Sequence, residues 1–284
     1  MSNNTAKKTG VPSVRCKPFL KWAGGKSYLL PELICRLPGE FNCYFEPFAG
    51  GSALFFAMQP QRALLSDINP ELINVYQVVR TDVESLIKDL SSHVYEKDYY
   101  YTVRSVDRRS DFKQWSNVKK ASRLIFLNKT CFNGLYRVNS RGEFNVPFGR
   151  YTNPTICDAD NLRACSKALQ NTKITMQPFI DTPKKAKRGD FIYFDPPYLP
   201  LTDTSNFTGY AKNGFAPEMQ VRLRDMCLEL NKKGVNFMLS NSSAAQVLEL
   251  YKDFNMEFVK APRFINSKGN KRGEIEEVIV RNYG

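Results

Sequence analysis

Apolar and polar positions along this chain repeat with two periods, and the switches between them lay out its elements. Residues 42–46 are a short apolar run entering the turn Pro47-Phe48-Ala49-Gly50-Gly51, residues 53–58 carry a helical pattern, and residues 62–66 form a second run that ends at Asp67. That order is the start of a βαβ unit. From about residue 72 to 128 the period is helical and the composition highly charged, with Tyr95, Tyr99, Tyr100 and Tyr101 interleaved with Arg104, Arg108 and Arg109. Between Tyr136 and Pro147, turn formers around Asn139 and Gly142 separate two extended arms, which predicts a hairpin. Strand patterns resume at 173–177 and at 191–194, the latter apolar throughout, as burial on both faces of a parallel sheet requires. Met219, Leu223, Met226 and Leu230 recur at helical spacing and predict a core-facing stripe on a helix over 217–232. Strands follow at 235–239, 256–260 and 275–280, the last two read as an antiparallel pair joined by a basic, glycine-bearing loop.

The pattern predicts an α/β fold built on residues 11–72 and 158–284, interrupted by a mostly helical insertion over 73–157 that carries the hairpin. A chain of 284 residues with 42% hydrophobic content can bury a sizeable core. No run approaches the length of a membrane span and the polar start does not read as a secretion signal, so the expectation is a cytoplasmic protein with no membrane partner. Forty-one Lys and Arg against 28 Asp and Glu leave a net charge of +13, which suits a polyanionic partner or simply a basic surface. The seven cysteines are scattered without a Cys-x-x-Cys pair, so they read mostly as buried apolar groups. The single histidine, His93, lies in a polar stretch and reads as a surface side chain; with so few clustered ligands no metal is expected.

Candidate chemistry gathers at predicted strand ends. Asp195-Pro196-Pro197-Tyr198 follows the apolar run at 191–194, and ligands of an open α/β sheet sit at the carboxyl ends of its strands. Two prolines would also simply terminate a strand. An acid, a carbonyl and an aromatic plane together suit methylation of an aromatic amine, whose lone pair is delocalised until acceptors hold its hydrogens. As the nitrogen becomes cationic, a fixed carboxylate and carbonyl dipole favour the transition state over the ground state. Tyr198 would stack on a base that has left its duplex.

Phe45-Glu46-Pro47-Phe48-Ala49-Gly50-Gly51-Ser52 lets a ligand approach the backbone, and Asp67 ends the next strand where a ribose diol could bind. The full Gly-x-Gly-x-x-Gly spacing of a pyrophosphate site is absent, so an adenosine without phosphates, such as S-adenosylmethionine, fits better than NAD. Gly25-Lys26-Ser27 resembles a phosphate loop, yet Leu20 stands where that motif needs glycine. Lys26 is better read as a partner for a carboxylate, and Trp22 as a face for a cation or as a buried ring. None of the cysteines follows a proline, which disfavours the covalent chemistry used on ring carbon five of cytosine.

Taken together, residues 21–26, the stretch 45–52 with Asp67-Ile68-Asn69, the block from Asn133-Gly134-Leu135-Tyr136-Arg137 through Tyr151, and residues 195–198 resemble the Dam-type family of DNA adenine methyltransferases, in that family's motif order. The resemblance implies a Rossmann-like methyltransferase sheet with the insertion as target-recognition domain. It implies that Trp22, Lys26, Phe48, Gly50, Asp67, Phe179 and Asp195 contact S-adenosylmethionine and that Asp195, Pro196 and Tyr198 hold the adenine. It implies double-stranded DNA as partner, GATC as target, a cognate restriction endonuclease as a functional pairing, and Asn133, Leu135, Arg137, Pro147 and Tyr151 as base-contacting positions. Arginine reads a guanine edge bidentately, a physical reason for Arg137. The clusters Lys184-Lys185-Lys187-Arg188 and Arg263-Lys268-Lys271-Arg272 read either as phosphate contacts or as solvated surface. Two other readings stay open: the same chemistry on RNA adenine or on the cytosine amino group, and a catalytically silent DNA-binding protein.

Overall fold

The computed structural model describes residues 16–199, 215–262 and 274–284. Seven strands make one sheet in the order β3-β2-β1-β4-β5-β7-β6. They are β1 (Tyr44–Glu46), β2 (Ala63–Asp67), β3 (Thr172–Met176), β4 (Phe191–Phe194), β5 (Asn236–Ser242), β6 (Asn255–Pro262) and β7 (Glu274–Arg281). The first five run parallel and β7 is antiparallel to both its neighbours. The expected antiparallel pair β6–β7 is present; the basic loop between them, with Arg263, Lys268, Lys271 and Arg272, lies outside the described residues.

The central strand β4 reads Phe191-Ile192-Tyr193-Phe194 and is buried at every position, because both faces are covered. Its pleat sends Phe191 and Tyr193 to one core, with Tyr44 and Leu65, and Ile192 and Phe194 to the other, with Phe45, Leu64 and Phe237. Each such side chain contributes roughly 1.5–3 kcal/mol on leaving water.

Helices α1 (Leu30–Ile34), α2 (Ala53–Met58), α3 (Pro70–Thr81), α4 (Val83–Leu90), α5 (Lys97–Ser105), α6 (Asn117–Thr130), α7 (Ala159–Leu169), α8 (Pro217–Lys233) and α9 (Ala245–Leu250) complete the described elements. Helix α3 starts where the Asn69 side chain accepts from the amides of Glu71 and Leu72 with Pro70 behind it, and it packs against α6, α7 and β3. It runs through residue 72, and buried residues on both sides of that position belong to the first core. On the other face α8 packs on β5 and ends at Gly234, whose φ of 70° only glycine adopts freely. Its buried stripe is Gln220, Leu223, Cys227 and Leu230; Met219 and Met226, expected in the core, are only partly buried at its flanks.

Three expectations need correction. His93 is no surface residue: its side chain is 11% exposed, stacks on Phe126 at 4.5 Å and hydrogen-bonds to the Tyr99 and Ser122 hydroxyls. Burial holds its imidazole below the usual value. Of the cysteines only Cys131, Cys165 and Cys227 are buried, Cys35 being exposed and Cys16, Cys43 and Cys157 half-buried. The arms of the expected hairpin meet at one isolated bridge, Val138 to Phe144, and form no strands; Arg137 and Asn139 take the flanking backbone bonds to Asn145 and Glu143.

Candidate active site and nucleic-acid interface

Strands β2, β1 and β4 lie side by side, and the chain winds to opposite edges from β1 and β4, so the crevice at their carboxyl ends is a topological switch point. Three groups of expected residues meet there: Asp67 at the tip of β2, residues 47–50 after β1, and Asp195 after β4.

Lys26 joins them. Its ammonium, almost fully buried, lies 2.7 Å from Asp195 Oδ1, donates to the Gly24 carbonyl at 2.6 Å and sits 4.5 Å from the centre of the Tyr198 ring. The carboxylate predicted for Lys26 is therefore Asp195. Burial raises the Asp195 carboxyl above its ordinary value, Lys26 opposes that shift, and nearby Glu277 adds to it. Pro196 is buried and Tyr198 half-buried, its hydroxyl donating to Glu277 Oε2 at 2.7 Å. Glu46, at the tip of β1, is 2% exposed and accepts from the Tyr44 hydroxyl at 2.8 Å; burial pushes its carboxyl well above the ordinary value.

The loop after β1 is shaped around Trp22. Gly50 has φ 46°, and a Cβ there would stand 2.9 Å from Trp22 Cδ1. Its amide donates to Asp67 Oδ2 at 3.2 Å while Asp67 Oδ1 accepts from the Asn69 amide at 3.0 Å. Each Asp67 oxygen thus keeps a lone pair for a further donor, as a ribose diol would supply. Phe48 and Phe179 stack at 5.1 Å, and Phe215 closes on both. These residues fit the implied cofactor: glycine backbone for close approach, the two Asp67 oxygens as acceptors, apolar rings, and the carboxylates of Asp195 and Glu277 beside the Lys26 ammonium.

The residues of the expected base-contacting block also come together. Asn133, Arg137 and Pro147 are exposed, and Leu135 and Tyr151 half-buried. The Pro147 carbonyl accepts from the Phe132 amide at 2.9 Å, and the Tyr151 hydroxyl donates to the Cys131 carbonyl at 3.0 Å. Arg137 is braced by Asn145 through Nε at 2.7 Å and Nη2 at 3.1 Å. Lys21 spans the gap to the active site: its ammonium lies 4.4 Å from the Tyr151 ring, and a Cβ on Gly134 would meet its side chain at 2.5 Å. Of the basic cluster at 184–188, Lys184 is held by Asp181 at 2.7 Å and Lys185 by Gln177 at 2.7 Å.

Several site residues were missed in the sequence. Buried Gln220 donates to the Pro197 carbonyl at 3.1 Å, Asn241 accepts from the Leu199 amide at 3.3 Å, and Ser242 donates to the Leu199 carbonyl at 2.7 Å, so the turn after β4 is cradled from α8 and β5. The signal for Gln220 was its place on the stripe of Leu223, Cys227 and Leu230. Glu277, Tyr28 and Asn128 carried no motif.

A family model described as D12 class N6 adenine-specific DNA methyltransferase matches residues 22–265. The chain is 48% identical over 275 residues to the type II methyltransferase M1.LlaDCHI of Lactococcus lactis subsp. cremoris, covering 95% of this chain and 97% of that one. It is 45% identical to the type II methyltransferase M.MjaIII of Methanocaldococcus jannaschii, covering 94% and 99%. It is 35% identical to a DNA adenine methylase of Haemophilus influenzae, covering 95% and 94%.

Proposed function

The chain belongs to the D12 class of N6 adenine-specific DNA methyltransferases, and from that membership we propose that it uses S-adenosylmethionine to methylate adenine within GATC of duplex DNA. The observation that carries the reading is the Asp195–Lys26 pair beside Tyr198 at the β4 tip. Membership removes the RNA, cytosine and silent-binder alternatives, and the relatives named type II methyltransferases favour a role paired with a restriction endonuclease.

Asp195 and the Pro196 carbonyl accept the hydrogens of the adenine amine, which frees its lone pair. One face of the Tyr198 ring is taken by the Lys26 ammonium, so the flipped base stacks on the other. S-adenosylmethionine, when bound, supplies the electrophilic methyl. Asp67 accepts from its ribose hydroxyls, Gly50 lets it approach the backbone, and Trp22, Phe48 and Phe179 line its apolar parts. Asp195 then faces the positive charge that develops on the amine nitrogen, which lowers the barrier more than it tightens the ground state.

Residues 73–157 form the recognition module, with Asn133, Leu135, Arg137, Pro147 and Tyr151 toward the bases. Asn145 occupies the Nε and Nη2 side of Arg137, which directs the Nη1 end toward a guanine edge. The test is to treat plasmid DNA with the protein and cofactor and digest it with nucleases that discriminate methylated from unmethylated GATC. Protection at GATC is expected; unprotected GATC with methyl incorporated elsewhere would overturn the target, and no incorporation the cofactor assignment.

A further inference from the structure

Glu277 sits on β7, some eighty positions beyond the strand-tip motif, and is 3% exposed. A buried carboxylate needs donors, and this one has two phenols from different parts of the chain. Tyr198 donates to Oε2 at 2.7 Å, and Tyr28 donates to Oε1. Tyr28 lies two residues after Lys26, whose ammonium covers the Tyr198 ring. The ring is therefore held at its hydroxyl by Glu277 and across one face by Lys26, and the segment that carries Lys26 is tied to the same carboxylate.

We propose that Glu277 is a positioning residue for methyl transfer: through the Tyr198 hydroxyl it fixes the ring against which the target adenine stacks, and through Tyr28 it holds the Lys26 segment in register with that ring. It does not touch the reacting atoms. The inference rests on the reading that Tyr198 stacks on the flipped adenine. A phenol pinned at its para oxygen cannot swing about its first side-chain torsion, and the Lys26 ammonium across one face restrains rotation about the second, whose axis runs through that oxygen, so the base the ring supports is held at the angle the amine needs. Small misplacement at a reacting centre is costly, on the order of 10²-fold per ångström.

The experiment is single-turnover methylation of a duplex at saturating DNA and S-adenosylmethionine, with DNA affinity measured alongside. Glu277→Ala is expected to slow the step about 10-fold to 100-fold with DNA affinity within about 2-fold, because geometry rather than binding is lost. Glu277→Gln, which can still bond both phenols, is expected to recover most of the rate. Tyr198→Phe should give a large share of the Glu277→Ala loss, and combining the two should cost little more than Glu277→Ala alone, since the Tyr198 bond is already gone there. Wild-type turnover in Glu277→Ala, or losses that multiply in the double variant, would overturn the proposal. If Glu277→Ala does not fold, Tyr28→Phe combined with Tyr198→Phe removes both donors and must show the same loss; wild-type turnover there overturns it equally. Tyr198→Ala separates the two readings: if it is harmless the stacking role itself fails, whereas a severe loss beside a harmless Glu277→Ala removes only the role of Glu277.

Discussion

Lys26 satisfies a carboxylate, a backbone carbonyl and an aromatic face at once, and this makes it the electrostatic partner that favours the ionised form of Asp195 against the effect of burial. Asp195→Asn keeps an acceptor oxygen but removes the negative charge that opposes the charge developing on the amine, and turnover is expected to fall about 10²-fold or more. Because burial raises the Asp195 carboxyl, the rate of the wild-type enzyme should be lost, as pH falls, at a higher pH than an ordinary aspartate would dictate. Lys26 lowers that carboxyl, so Lys26→Met should move the acid limb to still higher pH; a pH–rate profile whose acid limb stays in place would contradict the pairing. The partnership of Lys26 with a carboxylate was readable once the phosphate-loop reading failed on Leu20. Glu277 was not, because β7 lies between two other strands and its residues 277–280 are buried on both faces, which erases the alternation that would have marked an inward-facing acid.

At the scale of elements, an ion-pair knot fastens the recognition block to the helices beneath it. Arg123 on α6, 1% exposed, pairs with Asp107 at 2.8 Å and donates to the carbonyls of Val103 and Arg104; Asp107 in turn accepts from the Phe144 amide at 2.7 Å. Its Nη1 stands 3.7 Å from Glu71 and has no hydrogen-bond partner among the described residues. Removing one member of a buried pair strands the others, so Arg123→Leu is expected to cost about 3–5 kcal/mol, measurable by urea denaturation. A cost below about 1 kcal/mol would mean the pair is bystander to the fold. Elements with strong local pattern, such as α2 over 53–58, β4 over 191–194 and the β6–β7 pair, were legible from the sequence. The segment after Arg137 matches the turn chemistry of a hairpin and does pair antiparallel, Asn139 with Glu143 and Arg137 with Asn145, but over too few residues to form strands.

At the scale of the whole molecule, a net charge of +13 lies behind the proposed recognition block and predicts how DNA would be held. If some 6–10 phosphates are contacted, affinity should drop by ~10³ to 10⁵ between 50 and 200 mM salt, and a nearly flat salt dependence in a filter-binding assay would argue against a backbone grip. Between the two proposed ligand sites stands one buried amide, Asn128. Its Oδ1 accepts from the Lys21 amide at 2.8 Å, and its Nδ2 donates to the carbonyls of Lys21 at 2.7 Å and Gly134 at 2.9 Å. Lys21 opens the segment that runs to Trp22 and Lys26, and Gly134 lies within the base-contacting block. Any coupling carried through this shared amide is reciprocal: whatever factor the methyl donor adds to the grip on the duplex, the duplex must add to the grip on the donor. Titrating each in the presence and absence of the other should give matching factors above one, and Asn128→Ala should bring both toward unity, leaving two sites that no longer sense one another.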